Sequence, residues 1–450
     1  MFGAFLGANA VGDEEDFALR GLMRWGLIFS LFLMLSQSAV AQAQVISLRG
    51  ETVATEEPLP TSLLVTTPRL TVRAAPSGKS KRHGTVVGES RLPVLAREVG
   101  PGCSDNYWYR IGDNSWVCGR FVQPDDASPE AEAQPPMRDE ELMPWPYAFV
   151  HENAIEYERF AGGYREVREV MPGYGFAIER SVYIDGDSYY RTVEGRYVPQ
   201  RAARVTRRIS TFSGVAIRDE VTWPVGWVNR ENAWSFSEPS LRQAVRVERL
   251  ARYTQFSVQE RRTVGKHVFY RIDETHWVHA RDVQVATTAP LPDSVAPDER
   301  WIDVDLANQI VTAYEGEQPV WATLTSTGRG GASRTPKGSF RVWAKVAAIP
   351  MDNTDDEPVD ETLGEVESTD QNKHYYSLHD VPWTLFFHQG YAIHGVYWHN
   401  RFGNRRSSGC VNLAPKDARW LFDWSLPVLP DGWWAIHPVA GEPSTLVRVR

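Results

Sequence analysis

One motif recurs three times at a nearly constant interval. Tyr109-Arg110-Ile111 is followed by Trp116-Val117 and Arg120, Tyr190-Arg191-Thr192 by Tyr197-Val198 and Arg201, and Tyr270-Arg271-Ile272 by Trp277-Val278 and Arg281. The step from Tyr to the second aromatic is seven residues in every copy, and the copies lie 81 and 80 residues apart. Self-similarity at a fixed spacing means a repeated folding unit. Within each copy, short runs alternate apolar and polar residues and break at Gly, Asp or Asn, the pattern of strands joined by tight turns. Small β-barrels are therefore expected, with Trp116, Tyr197 and Trp277 as core aromatics. The 450 residues leave room for a further domain after the third copy.

Three Pro-rich, turn-rich or acidic stretches read as linkers: Gly50 to Thr61, Pro124 to Pro146, and Thr287 to Arg300. The expected units are thus 62–123, a linker at 124–146, repeats at 147–210 and 211–286, a linker at 287–299, and a C-terminal domain at 300–440. Ahead of them, Arg24 precedes an apolar run from Trp25 to Leu35, and Ala39-Val40-Ala41-Gln42-Ala43 follows. A charged start, about ten apolar residues and an Ala-x-Ala end make a secretory signal peptide, too short to span a bilayer. We expect residues 1–43 to be removed and the protein to be exported, to the periplasm or cell wall, without stable membrane insertion. Asp13-Glu14-Glu15-Asp16 has the wrong charge for a signal start, so translation is expected to begin at Met23. The net charge of −9 argues against general nucleic-acid binding.

Cysteine occurs only at Cys103, Cys118 and Cys410. That is too few for a disulfide framework or a zinc ribbon. Cys103 and Cys118 fall within the first repeat and are expected to meet across a hairpin as a disulfide, which leaves Cys410 as a free thiol.

After Trp301 the pattern changes. Trp301 to Leu306 and Ile310 to Tyr314 read as a hairpin, with further strands at Val320 to Ser326, Ser339 to Val346 and Thr384 to His394, a β-sandwich-like domain. Pro415 to Trp424 reads as one helix, with Pro at its first position and Ala418, Leu421 and Phe422 on one face. In front of it stand Ala392-Ile393-His394-Gly395 and Ser407-Ser408-Gly409-Cys410-Val411-Asn412-Leu413, with His394 and Cys410 sixteen residues apart. A thiol needs a neighbouring base, and an imidazole beside it is expected to lower its pKa. Ser407, Ser408 and Gly409 are small enough for backbone N–H groups to face a developing oxyanion. Gly395 lets a backbone carbonyl approach the imidazole and fix its tautomer. These parts suit acyl transfer.

Leu70-Thr71-Val72-Arg73-Ala74-Ala75-Pro76-Ser77, with the Trp-Val ending at Trp116, resembles the opening of bacterial SH3-like cell-wall modules. The second and third copies share only the closing half, as degenerate modules. His394-Gly395, a gap, then Ser407-Ser408-Gly409-Cys410-Val411-Asn412-Leu413 resembles the catalytic domain of L,D-transpeptidases (YkuD type). Trp301 to Tyr314, Thr335-Pro336-Lys337-Gly338 and Asp380-Val381-Pro382-Trp383 support the likeness. Ser408 stands where that family more often has His. The fold class expected is therefore mainly β: small SH3-like barrels, then a β-sandwich-like domain with a helix after the Cys.

The resemblance implies a cysteine acyltransferase acting on peptidoglycan stem peptides. Cys410 would be the nucleophile and His394 the proton donor and acceptor, with the Gly395 backbone orienting the ring. Ser407, Ser408, Gly409, Asn412 and Arg406 would be substrate or oxyanion contacts. Attack on the third residue of a tetrapeptide stem would release D-Ala, and transfer to an amine would give a 3→3 cross-link. Trimming by water, anchoring of a protein, and a catalytically silent wall-binding role are the alternatives. A papain-like endopeptidase would need the Cys before the His, the reverse of the order here. No cofactor and no metal is expected, since His374, His379, His388 and His399 lack metal-ligand spacing. The acidic insertion from Met351 to Asp370 reads as a loop near the site.

Overall fold

The computed structural model describes residues 58–450, apart from 105–106, 138–139, 208, 219–220 and 353–376. The expected signal peptide, His374 and all but the first two residues of the acidic insertion lie outside the described residues. Residues 58–450 form one compact unit. No helix among the described residues is long and apolar enough to cross a membrane.

The three repeats share more than their closing halves. In the first, the opening strand Ser62–Val65 pairs antiparallel with Arg91–Pro93 and with the closing strand Val122–Asp125. Arg69–Arg73 pairs with Arg82–Val87 and meets Ser115–Cys118, while Ala96–Val99, Tyr107–Gly112 and Ser115–Cys118 form a meander. The second repeat, from Tyr147–Val150 to Ala203–Val205, has the same set of pairings. So does the third, from Val225–Val228 to Val283–Val285. The recurrent motif marks one place in all three, where a strand ends in a 3-10 turn and the closing strand begins: the turns are Gly119–Phe121, Gln200–Ala202 and Ala280–Asp282. Trp116, Tyr197 and Trp277 are buried, as expected of core aromatics.

The C-terminal domain is a sandwich of two sheets. One has the order Val215–Ala216, Gln318–Leu324, Ile310–Glu315, Arg300–Asp305, Leu446–Val449, Gly338–Arg341. The other joins Trp433–Ile436, Ala344–Asp352, Ser377–His388, Tyr391–Gly395 and Val411–Leu413. Two expected boundaries move. Val215–Ala216 lies outside the third repeat because it pairs with Trp321 and Ala322 of the first sheet, and buried Asp417 accepts the Gly214 N–H at 2.7 Å. The domain also runs past residue 440, because Leu446–Val449 lies parallel to Trp301–Val304 inside that sheet.

Helix Pro415–Trp424 forms where expected. Pro415 opens it, where a missing N–H costs nothing. Ala418, Leu421 and Phe422 bury its inner face among Val381, Leu385, Ile393 and Val447. The fully buried Lys345 ammonium donates to the Phe422 and Ser425 carbonyls at 2.5 and 2.9 Å and so satisfies the helix C-terminus. Tyr147 and Ala177 of the second repeat enter the same core. Val225 and Trp227 of the third pack with Val396, Phe402 and Ala414.

Candidate active site

Strand Tyr391–Gly395 runs parallel to the short strand Val411–Leu413, with His394 opposite Asn412. Side chains alternate along a strand. Asn412 and, two residues earlier, Cys410 therefore lie on the same face as His394. Helix Pro415–Trp424 follows directly and fixes the strand from behind. The sequence predicted all three residues, and the sheet brings them together.

The turn before Cys410 is held by side chains. Gly409 has φ +138, and a Cβ there would stand 2.4 Å from the Tyr391 ring, so only glycine fits. The Ser407 hydroxyl donates to the Cys410 carbonyl at 2.6 Å and accepts the Gly409 N–H at 3.1 Å. Ser407 and the Gly409 N–H are thus engaged within the turn rather than turned outward to a substrate. Exposed Ser408 is free to face one, and its hydroxyl lies 3.5 Å from Arg329 Nη2. A neighbouring loop laces the turn in place. The Thr335 hydroxyl donates to the Gly409 carbonyl at 2.7 Å, Thr327 O accepts the Arg406 and Ser407 N–H groups, and Ser326 and Asn412 exchange backbone bonds at 2.9 and 3.0 Å. The sequence flagged Thr335 only as part of a turn, and nothing in it pointed to Thr327.

His394 is 2% exposed. Its Nδ1 lies 2.9 Å from the Gly395 carbonyl, which fixes the proton there and leaves Nε2 as the basic nitrogen. A Cβ on Gly395 would press on the Trp383 ring at 3.0 Å and on Ala418 at 3.3 Å, so glycine lets the strand pack closely there. Burial pushes the His394 pKa down to about 4, with the Gly395 carbonyl opposing. The half-buried Cys410 thiol has the Gly390 carbonyl 4.0 Å away. Burial raises its pKa above the ordinary thiol value. The sequence led us to expect the imidazole to lower it. Both groups are instead neutral at rest, because neither charge is solvated here.

His399 stands beside this pair, with Nε2 3.1 Å from the Asn412 amide and Nδ1 accepting the Arg401 N–H at 3.2 Å. Burial, and then Arg406 and His394, push its pKa down to about 4. Arg401, Arg405 and Arg406 are exposed on the loop before the thiol, and Arg405 donates to the Leu306 carbonyl at 3.1 Å. His379 is remote in role. It pairs with Glu194 at 3.0 Å in the seam with the second repeat. His388 lies against the Phe340 ring. Among the described residues no group of three or more His, Cys, Asp or Glu side chains is arranged to hold a metal. Cys103 and Cys118 are joined as a disulfide in the first repeat, and Cys410 is the free thiol.

Third-repeat side chains grip the loop between base and nucleophile, which the sequence did not signal. Asn229 Nδ2 and Gln284 Nε2 donate to the Gly403 carbonyl at 2.9 and 3.2 Å. Arg252 donates to the Phe402 carbonyl at 3.0 Å, and the Tyr253 hydroxyl donates to that of Asn400 while accepting the Phe402 N–H at 3.2 Å.

Residues 299–446 match the family model of the YkuD L,D-transpeptidase catalytic domain. No curated protein matches the chain. Similar solved structures include an L,D-transpeptidase from Xylanimonas cellulosilytica, at 21% identity over 36% of this chain and 64% of that one, with a TM-score of 0.23. This chain thus spans less than two thirds of that structure. The catalytic domain of the E. faecium L,D-transpeptidase is 22% identical over 34% of this chain and 98% of its own, with a TM-score of 0.24. L,D-transpeptidase 3 from Mycobacterium tuberculosis is 18% identical over 41% and 78%, with a TM-score of 0.24. By the family model alone, residues 299–446 are an L,D-transpeptidase catalytic domain, that of an acyltransferase.

Proposed function

We propose that the protein is an exported L,D-transpeptidase of the periplasm or cell wall that cross-links peptidoglycan stems. The observation that carries this reading is the placing of His394 and Cys410 on one face of paired parallel strands, with the imidazole's other nitrogen committed to the Gly395 carbonyl. Cys410 Sγ attacks the carbonyl of the third residue of a tetrapeptide stem as its proton passes to His394 Nε2. The tetrahedral intermediate collapses to a thioester, and the imidazolium returns the proton to the departing D-Ala amine. An acceptor amine from a second stem then attacks the thioester and gives its proton to His394; the C–S bond breaks and the imidazolium passes that proton to the departing Cys410 sulfur, which completes the 3→3 bond and restores the thiol.

Because both groups rest neutral, the proton moves within the attack rather than beforehand. The three repeats, in this reading SH3-like modules, hold the catalytic domain and can present it to the wall. The test is incubation of the mature protein with disaccharide-tetrapeptides, followed by mass spectrometry. D-Ala and 3→3 dimers are expected. The rate should hold from neutrality down to about pH 5, above the pKa of about 4 to which burial brings His394. D-Ala without dimers would make the enzyme a trimming carboxypeptidase, and no turnover across about pH 5–9 would sink the catalytic reading.

A further inference from the structure

His399 Nδ1 faces the Arg401 N–H, a donor, so Nδ1 must be the bare nitrogen and Nε2 must carry the proton. The side-chain amide 3.1 Å from Nε2 belongs to Asn412, which is only 3% exposed. With its nitrogen toward His399, the amide would meet the ring donor to donor, and Oδ1 would lie buried with no partner. A buried polar atom left in that state costs roughly 1–3 kcal/mol. Turned over, the oxygen accepts the Nε2–H and the first mismatch disappears. The group left unpartnered is then the N–H2, two donors on the sheet face that also bears His394 and Cys410.

We infer that His399 is a positioning residue: it fixes the Asn412 amide so that its N–H2 group, not its oxygen, is offered to the oxygen of the acyl donor beside Cys410. This rests on the acyl-transfer reading above. A carbonyl or carboxylate oxygen of the stem peptide supplies the partner that the amide lacks in the free protein. The unpaired donor is tolerated before binding because the surrounding backbone holds it. Ser326 and Asn412 exchange two backbone bonds, and the Thr325 hydroxyl donates to the Asn412 carbonyl at 2.9 Å. No proton leaves His399 in this role, which separates it from His394.

Ring-nitrogen NMR of the intact protein tests the geometry without any turnover. The expected result is the Nε2–H tautomer at His399, and the Nδ1–H tautomer would overturn the inference. Kinetics test the role. His399→Phe and Asn412→Ala should each slow thioester formation about 10- to 100-fold. The double variant should be no slower than Asn412→Ala alone, because one residue acts through the other. His399→Gln, whose amide can donate to the same oxygen, should recover most of the rate. Alkylation of Cys410 by iodoacetamide should stay within about twofold in His399→Phe, which shows the thiol site folded. Multiplying losses in the double variant, or alkylation falling with acylation, would overturn the inference. If the unmodified protein releases no D-Ala, the acyl-transfer reading fails on its own, and the tautomer still decides the orientation of the amide.

Discussion

Strand Arg82–Val87 of the first repeat lies antiparallel to Trp433–Ile436 of the catalytic domain, and Gly175 of the second repeat pairs with Leu378. Among the described residues no strand of the third repeat, from Val225 to Val285, pairs with either catalytic sheet. That repeat instead reaches the Asn400, Phe402 and Gly403 carbonyls with individual side chains. All three repeats pack apolar or polar side chains on the domain, but only the first two add backbone pairing to it. Backbone pairing is indifferent to side-chain identity and stiffens the sheet. Side-chain contacts depend on a few residues and end on the loop that leads to the thiol. The first two repeats should therefore govern stability, and the third should govern rate.

The hardest test of the stability half is Gly84→Val. A Cβ there would stand 2.4 Å from the Ala435 carbonyl and the Trp433 ring, and such overpacking should cost about 3 kcal/mol in denaturant unfolding. A cost below about 0.5 kcal/mol would show that the seam carries little. Replacing Cys103 and Cys118 together by Ser should cost up to about 3 kcal/mol, from the loop of 15 residues that the bridge closes. Turnover of the intact fold should not change; a proportionate fall in turnover would break the division between the repeats.

For the rate half, Asn229→Ala with Tyr253→Phe should lower D-Ala release about tenfold, while unfolding shifts by no more than about 1 kcal/mol. The reverse pattern would make the third repeat another brace. The smallest effect expected is at the second seam. Burial lowers the His379 pKa, but the hydrogen bond and charge of Glu194 outweigh it and leave the value raised above 6.5. Burial raises the Glu194 pKa, but the His379 bond and charge, together with the charges of Arg168 and Arg69, outweigh it and hold the value below 4.5. The stability from His379 is therefore present below its ordinary value and fades as pH rises through the raised one. That from Glu194 is present above its ordinary value and fades in acid. Glu194→Gln should lower the melting temperature most between about pH 5 and 6.5 and least near pH 9. An equal shift at both would remove the ion pair from the account.

Local signals were legible where a short stretch decides its own conformation. Pro415 with the apolar spacing behind it set the helix, and the alternation from Trp301 to Tyr314 set a hairpin. The sequence was less informative where burial erases alternation. Ser377–His388 is covered along nearly its whole length even though it opens with Ser377, His379 and Asp380 and contains Pro382, so neither alternation nor an apolar run marked its start, and Ser339 to Val346 proved to be parts of two strands. His394 and Cys410 were legible as a motif, but their resting charge was not, because it depends on how much water the surrounding sheets exclude. The grip of Asn229 and Tyr253 joins residues about 150 to 175 positions apart, a separation at which spacing carries no signal.

The parallel pairing of Tyr391–Gly395 with Val411–Leu413 has a topological cost. A chain that leaves one strand and re-enters a parallel neighbour must travel back to the same end of the sheet, so no tight turn can join them. The segment from 396 to 410 is that return path, and it carries His399, Arg401, Arg405 and Arg406 from the strand of His394 to that of Asn412. Residues along this return path can therefore change while His394 and Asn412 keep their register.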